Sequence, residues 1–490
     1  MKYCSTRGNS ELVSGAYAIK KGIAPDGGLY MPTEIPKLTE DDIKALCEMD
    51  YAHRAADILY RFLDDYNKDE LLADCIEAYS EKNFPGGAAP LHQLDEGGYV
   101  LELFHGPTCA FKDMALQIMP RLLSRALKMT GEEKTALILV ATSGDTGKAA
   151  LEGYRDVPGI AIKVFYPVHG VSKVQKLQMA TQEGENVSVC AIEGNFDDAQ
   201  NGVKKIFSDA EINKKLNDGG YILTSANSIN WGRLAPQVVY YISAYCDLLK
   251  EGVLKSGEIL NFTVPTGNFG NIFAAYIAKQ MGLPVGKLIC ASNRNNILSD
   301  FLTTGVYDRR RKFFQTMSPS MDILISSNLE RLLYLICGAE KTAEYMARLN
   351  STGKYKIELD ELNKIKETFV GYYANEAHTM DEIGFVYDKV KYLSDTHTGV
   401  ALYCASKFRY YNDENMVTVS TASPYKFAKD VLTAVGGEAD GDEFAPLYAL
   451  NELTGVEIPA PLATLKDKAV RFTNVISPDE MAEETLKILS

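Results

Sequence analysis

No run of five or six basic residues occurs in this 490-residue chain, whose formal net charge is −14 at pH 7. The sequence-independent attraction that draws proteins to phosphate backbones is therefore missing, and nucleic acid is not an expected partner. No stretch approaches the ~18 apolar residues of a membrane-spanning helix. The start, Met1-Lys-Tyr-Cys-Ser-Thr-Arg-Gly8, has neither an apolar signal core nor an Arg-rich presequence. The expectation is a soluble cytoplasmic protein with no membrane partner. Nine cysteines are scattered from Cys4 to Cys404 without a C-x-x-C pair, which suits reduced thiols better than a disulfide framework. The six histidines are equally dispersed. With no H-x-x-x-H or Cys/His cluster, no metal is expected. At 46% hydrophobic residues the chain can bury a sizeable core, which excludes disorder and suits two or three domains.

What is present is an alternation of short apolar runs, glycine loops and helical patterns. Strands are predicted at residues 99–104, 135–141, 160–166, 187–192, 259–264, 287–291 and 416–420, with helices at 148–154 and 272–281. Such alternation means βαβ units and a parallel sheet covered by helices. Active sites of such sheets lie at the carboxyl ends of the strands. Residues 1–92 read as a separate N-terminal α/β domain with helical patterns at 43–49 and 55–62. The breaker-rich Asn83-Phe-Pro-Gly-Gly-Ala-Ala-Pro90 links it to a catalytic domain over 93–490. Within that domain the strand signal fades between about 295 and 398, where patterns such as 329–335 and 357–369 suggest a helical insertion.

Lys112 is the residue to explain. It follows a strand-like run and the breaker pair Gly106-Pro107, and it opens a helical pattern of Phe111, Met114, Ala115, Ile118 and Leu122, with Thr108 available as a cap. A helix N-terminus favours anions, and apolar neighbours push a lysine toward its neutral, nucleophilic form. The plainer alternative is that Lys112 reaches solvent and pairs with Asp113. Cys109, three residues earlier, reads as packing.

Two glycine loops sit at strand-to-helix junctions, where backbone N–H groups and the helix dipole make an anion site. Gly267-Asn268-Phe269-Gly270-Asn271 contains no carboxylate and suits a phosphate. Ser143-Gly144-Asp145-Thr146-Gly147 carries Asp145, so it better suits an ammonium, a hydroxyl or an oriented water. Either loop alone could be a tight turn and nothing more. Neither has the spacing of a nucleotide fingerprint. A reactive lysine, a separate anion loop and a parallel sheet together suggest an aldehyde cofactor held by an imine at one end and by its phosphate at the other. Pyridoxal phosphate fits that description.

Several segments also carry a family resemblance. They are Glu102-Leu-Phe-His-Gly-Pro-Thr108 with Phe111-Lys112-Asp113, Ala141-Thr-Ser-Gly-Asp-Thr-Gly147, Ser225-Ala-Asn-Ser-Ile-Asn230 with Arg233, Pro265-Thr-Gly-Asn-Phe-Gly270, residues 318–322, and Thr421-Ala422. Tyr3-Cys-Ser-Thr-Arg-Gly8 and Asp26-Gly-Gly-Leu-Tyr30 extend the match over nearly the whole chain. With these residues the chain resembles the threonine synthases, in their longer fungal and bacterial form, within the tryptophan-synthase-β-like group of pyridoxal phosphate enzymes.

The resemblance implies an α/β, parallel-sheet fold of that type, with two lobes in the catalytic domain. It implies that Lys112 forms the imine and later acts as general base, while Gly267, Asn268, Phe269 and Asn271 hold the cofactor phosphate. Thr421 would meet the pyridine nitrogen. Ser143, Gly144, Asp145 and Thr146 would lie beside the cofactor hydroxyl and the substrate carboxylate, and Asn227, Ser228 and Arg233 are candidates for the substrate phosphate. For Ser228 and Arg233 the plainer readings are a helix cap and a surface ion pair. The implied reaction is that of a lyase of threonine biosynthesis, O-phospho-L-homoserine plus water giving L-threonine and phosphate, in a monomer or homodimer. Ser423 departs from the family pattern, which commonly has a histidine there, and serine cannot titrate near neutral pH. Two other readings are a related phospholyase that releases a keto acid and an inactive homologue that binds a phosphorylated metabolite.

Overall fold

Continuous apolar runs such as Thr135–Ala141 and Ile160–Pro167 have no polar face to turn to water, and they form strands covered on both sides. The computed structural model describes residues 1–489 other than 9, 10, 143, 170 and 413. Among the described residues two large sheets carry the chain, beside two two-stranded antiparallel ones, Tyr3–Ser5 with Tyr30–Pro32 and Val306–Asp308 with Lys354–Lys356. A six-stranded sheet runs in the order Phe369–Tyr373, Val285–Ser292, Leu260–Pro265, Met416–Ser420, Gly98–Glu102, Leu91–Asp95. Its pairs are parallel except the last, where Leu91–Asp95 returns antiparallel at the edge. A five-stranded, wholly parallel sheet runs Val475–Ile476, Val187–Ile192, Ile160–Pro167, Thr135–Ala141, Tyr221–Thr224. The fold is thus α/β with mostly parallel sheets.

The helix Trp231–Lys250 is apolar almost all round and lies in the interior, as such a helix must. Trp231 at its start is fully buried, with Tyr3 and Phe62 edge-on at 5.9 and 5.5 Å, so the N-terminal residues share the main core with this helix. N-caps begin several helices: Thr39 and Asn195 with their capping-box partners Asp42 and Asp198, and Asn230 before Trp231. Among the described residues no helix is long and apolar enough to cross a membrane.

Three features differ from the sequence expectations. The helical pattern after Lys112 is broken into Asp113–Leu116 and Met119–Met129. Pro120, in the first turn of the second piece, lacks an N–H, and its ring would clash with the carbonyl four residues back. Of the stretch about 295–398, read as a helical insertion, Phe369–Tyr373 instead forms an edge strand parallel to Val285–Ser292. Its Phe-Val-Gly-Tyr-Tyr sequence directly continues the helix Leu359–Thr368, so the periodic pattern of the helix masks the strand. The single sheet anticipated from the alternation is two, and the loops that matter leave the carboxyl ends of both.

Candidate active site

The loop from Leu103 to Lys112 is fixed by main-chain bonds to the residues that follow the strand Met416–Ser420. Leu103 N–H donates to the Ser420 carbonyl at 3.0 Å, Phe111 N–H to Thr421 at 2.8 Å, and Ser423 N–H to Cys109 at 3.0 Å. Lys112 and Thr421 are thereby neighbours. Thr108 does not cap a helix: its N–H and hydroxyl donate to the buried Asp113 carboxylate at 2.8 and 2.7 Å. Burial pushes Asp113 up to about 6 despite those bonds. With Asp113 committed to Thr108, the Lys112–Asp113 pair of the plainer alternative does not form. Cys109 is enclosed, and burial raises its thiol to about 12, which leaves it a packing residue.

Lys112 stands at the N-cap position of Asp113–Leu116, buried, with its ammonium 3.6 Å from Asp145 Oδ2 and 5.1 Å from the Phe111 ring centre. Burial is the largest influence on the amine and lowers its proton affinity below that of an ordinary lysine. Asp145 opposes this, and the positive charges of Lys426 and Arg233 add to it. Asp145 opens the helix Asp145–Tyr154 behind Gly144, whose φ of 147° only glycine adopts freely. Its other oxygen, Oδ1, pairs with Lys426 Nζ at 2.6 Å and accepts from Gln175 Nε2 at 3.0 Å. Burial acts to raise the Asp145 carboxyl, but the two ammonium groups outweigh it and hold the carboxyl well below the usual carboxylate range. Asp145 therefore stays ionised between two lysines. Thr146 lies half-buried in the first turn of the same helix. Ser143 lies outside the described residues.

The second loop follows the strand Leu260–Pro265. Phe269 takes the left-handed conformation, φ 63°, and starts the helix Gly270–Met281. Its ring is buried beside Phe369, centroids 5.5 Å apart, so only its backbone can serve an anion. Asn268 is exposed, and its carbonyl accepts from Asn328 N–H at 3.1 Å. At Gly267 a Cβ would come within 2.9 Å of the Ser320 carbonyl, so the close approach of these two chains requires glycine. Asn271 is held from one side only: Tyr240 and Tyr241 hydroxyls donate to its Oδ1 at 2.5 and 2.6 Å, which orients the amide. Its buried Nδ2 has no hydrogen-bond partner among the described residues. A buried amide donor beside a helix N-terminus fits a phosphate.

Arg233 sits in the first turn of Trp231–Lys250, where a cation meets the unfavourable end of the dipole. It is buried, and NH1 donates to the Ala226 carbonyl at 2.8 Å. Among the described residues no carboxylate lies within ion-pair distance of it, so the surface pair is not found. Burial lowers the guanidinium to about 10. Asn227 is exposed and accepts from Ser228 N–H at 2.7 Å. Asn230, rather than Ser228, caps the helix, accepting from Gly232 N–H at 2.9 Å.

Sequence reasoning passed over several residues of this site. Lys426 reaches Asp145 because Ser423 caps the 3₁₀ turn Pro424–Phe427, its hydroxyl accepting from Tyr425 N–H at 3.3 Å. A lysine directly after the last strand's loop was the available signal. Ser320 lies in the 318–322 segment that carries the resemblance, though nothing there placed it beside Lys112; His397, Tyr240 and Tyr241 carried no signal, since each lies far from Lys112 along the chain. Among the described residues no three His, Cys, Asp or Glu side chains are placed to hold a metal ion.

The chain matches family models described as "Threonine synthase N terminus" over residues 2–79, "Pyridoxal-phosphate dependent enzyme" over 85–421 and "Threonine synthase, C-terminal" over 398–485. It is similar to human "Threonine synthase-like 1", 41% identical over 85% of this chain but only 57% of that protein. It thus spans little more than half the length of that relative. The threonine synthase of Pseudomonas aeruginosa is 38% identical over 99% of this chain and 97% of its own length. A crystal structure of pyridoxal-phosphate-bound threonine synthase from Brucella melitensis superposes with a TM-score of 0.89 at 38% identity, covering 100% of this chain and 99% of the other. A buried lysine between a carboxylate and a glycine loop, on two mostly parallel sheets, agrees with those matches: the chain belongs to the threonine synthase family of pyridoxal-phosphate-dependent enzymes.

Proposed function

We propose that this protein converts O-phospho-L-homoserine and water into L-threonine and phosphate. The observation that carries the reading is the pairing of a buried, depressed Lys112 with a buried Arg233 that has no acid partner among the described residues: one site for an amine reaction, one for a phosphate. In this reading Lys112 would hold the cofactor aldehyde, Gly267, Asn268, Phe269 and Asn271 its phosphate, and Thr421 its ring nitrogen. Once bound, pyridoxal phosphate supplies the electron sink for carbanions at the substrate's carbons. Lys112 Nζ would take the Cα proton, and Asp145 at 3.6 Å would stabilise the ammonium so formed. Gly144, whose N–H donates to Thr142 Oγ1 at 3.0 Å, turns the chain so that Asp145 and Thr146, at a helix N-terminus, present N–H groups to the substrate carboxylate. Arg233, with Asn227 and Ser228, holds the phosphate until it departs from Cγ. For phosphate to leave Cγ a Cβ proton must also be lost; Cγ then gains a proton, hydroxide from water adds at Cβ while water's other proton goes to the departed phosphate, and Lys112 returns the proton to Cα.

Domain roles belong to the same proposal: residues 1–92 form the N-terminal domain and 93–490 the catalytic one, acting as a monomer or homodimer. Nine cysteines, all free, suit the reducing cytoplasm. The reading is tested by product analysis with O-phosphohomoserine: threonine and phosphate in equal amounts support it. Phosphate with a keto acid instead of threonine would replace it with the phospholyase.

Two variants probe the cofactor residues. Asn271→Asp keeps an acceptor for Tyr240 and Tyr241 but puts an anion where Nδ2 now points, beside a dianion. The cofactor dissociation constant of the apoenzyme should rise by about tenfold or more, and an unchanged constant would move the phosphate elsewhere. A hydroxyl at Thr421 cannot hold a pyridinium proton by charge, which restrains transamination. Thr421→Asp would stabilise that proton, so the fraction of turnovers ending in keto acid or aminated cofactor should increase. An unaltered product ratio in the folded, cofactor-loaded variant would sink the role.

A further inference from the structure

The 3₁₀ turn Pro319–Met321 touches three parts of the site at once. The Ser320 hydroxyl accepts from Lys112 Nζ at 3.5 Å and donates to Asp145 Oδ2 at 3.4 Å. The carbonyl of the same residue fills the space beside Gly267. A little further on, Ser326 Oγ donates to the Gly267 carbonyl at 2.7 Å. A three-residue 3₁₀ turn has little internal bonding to hold it in place, so its position depends on what grips it from outside.

The residues on either side of it, Ser318 and Asp322, are tied by Asn293 Nδ2 at 3.0 and 2.7 Å, and the grip on Ser320 itself is a histidine. Ser320 N–H donates to His397 Nε2 at 3.1 Å, and an Nε2 that accepts carries no proton. The ring proton is then on Nδ1, which donates to Asp395 Oδ2 at 2.7 Å. Asp395 is wholly buried at the N-cap of Thr396–Arg409 and also accepts the N–H groups of His397 and Thr398 at 2.9 and 3.1 Å, so it cannot swing away cheaply. The Phe427 ring stands edge-on to the imidazole at 4.7 Å. From the neighbouring residue Thr396 Oγ1 donates to the Met317 carbonyl at 2.7 Å.

We propose that His397, oriented by Asp395, is a positioning residue: it locks the Pro319–Met321 turn in the place that puts the Ser320 hydroxyl between Lys112 and Asp145 and closes the wall beside Gly267. The proposal rests on the reading of Lys112 as the reactive amine. The charged groups facing that amine are Asp145 from the helix Asp145–Tyr154, Lys426 from the turn Pro424–Phe427 and Arg233 from the helix Trp231–Lys250. None of them is altered in the test.

The test uses the full-length protein with pyridoxal phosphate, in His397→Ala, His397→Gln, Ser320→Ala and the His397→Ala/Ser320→Ala double variant. Two quantities are read: the pH midpoint of the bound-cofactor absorbance and the cofactor dissociation constant of the apoenzyme. Ser320→Ala removes the hydroxyl but keeps the N–H, so it should move the midpoint and spare the constant. His397→Ala should move both, the constant by about tenfold, the equivalent of one lost hydrogen bond. His397→Gln, whose amide oxygen can accept where Nε2 does, should restore both toward the parent and guards against a misfolded alanine variant. In the double variant the midpoint should match that of Ser320→Ala alone, because the group through which His397 acts is gone. A His397→Ala protein with both quantities unchanged, a midpoint shift that persists undiminished in the Ser320→Ala background, or no rescue by glutamine would each overturn the proposal. An unaltered protein that binds no cofactor would overturn the underlying reading, and the proposal with it.

Discussion

Lys112→Ala removes turnover with O-phosphohomoserine by at least about 10²–10⁴-fold, the usual worth of a positioned acid or base, and with it the covalent anchor of the cofactor. Reduction of the loaded, unaltered protein with borohydride fixes pyridoxal phosphate to the peptide that contains Lys112. Both outcomes follow from where the amine sits. It is buried, so its proton is held less tightly than an exposed lysine's, and Asp145 at 3.6 Å is placed to receive the charge that forms when it takes up a proton. Two other lysines are buried nearby and serve as internal controls. Lys426 is paired with Asp145 at 2.6 Å and donates to the Thr108 carbonyl at 3.0 Å, while Lys148 is paired with Glu152 at 3.0 Å. Both are committed to structural partners and should not be labelled. Label on either of them, or an alanine variant of Lys112 that keeps full activity, would falsify the assignment.

Much of this arrangement was legible in the amino-acid order, and the limits have physical causes. Lys112 stood out because its context is local: a breaker pair, a run of strand character and the start of a helix lie within a dozen positions. The glycine loops were visible for the same reason, since a strand, a turn and a helix N-terminus are contiguous. Buried parallel strands such as Thr135–Ala141 announce themselves as unbroken apolar runs. What stayed hidden depends on pairing across the chain. Asp113 looked like the partner of Lys112 by adjacency, yet it closes the loop onto Thr108 and leaves Lys112 to Asp145. Nothing near Tyr240 and Tyr241 in the sequence points to Asn271, and only the folded chain brings their hydroxyls to it. His397 lies in the first turn of a helix capped by Asp395, and that its imidazole reaches a turn on another element is tertiary information. The edge strand Phe369–Tyr373 was lost because it begins where a helical period ends.

Arg233→Met should lower kcat/KM for O-phosphohomoserine by about 30-fold to 1,000-fold, the equivalent of 2–4 kcal/mol for removing a charged partner from a buried phosphate. Most of the loss should appear as weaker binding of the phosphorylated substrate and of inorganic phosphate as an inhibitor, with the cofactor dissociation constant little changed. Stability distinguishes this from a structural role. Burying an ion costs several kcal/mol unless it is paired, and Arg233 has only the Ala226 carbonyl at 2.8 Å as a described partner in return. Methionine has a similar stem and no charge, so the ligand-free variant should melt at the same temperature as the parent or higher. If Arg233 instead served to tie residues 226–233 together, the variant should melt lower, and phosphate affinity should fall no more than cofactor affinity. The two roles therefore move melting temperature in opposite directions. A destabilised variant with unchanged phosphate inhibition would remove Arg233 from the substrate site and leave the anion to Asn227 and Ser228 alone.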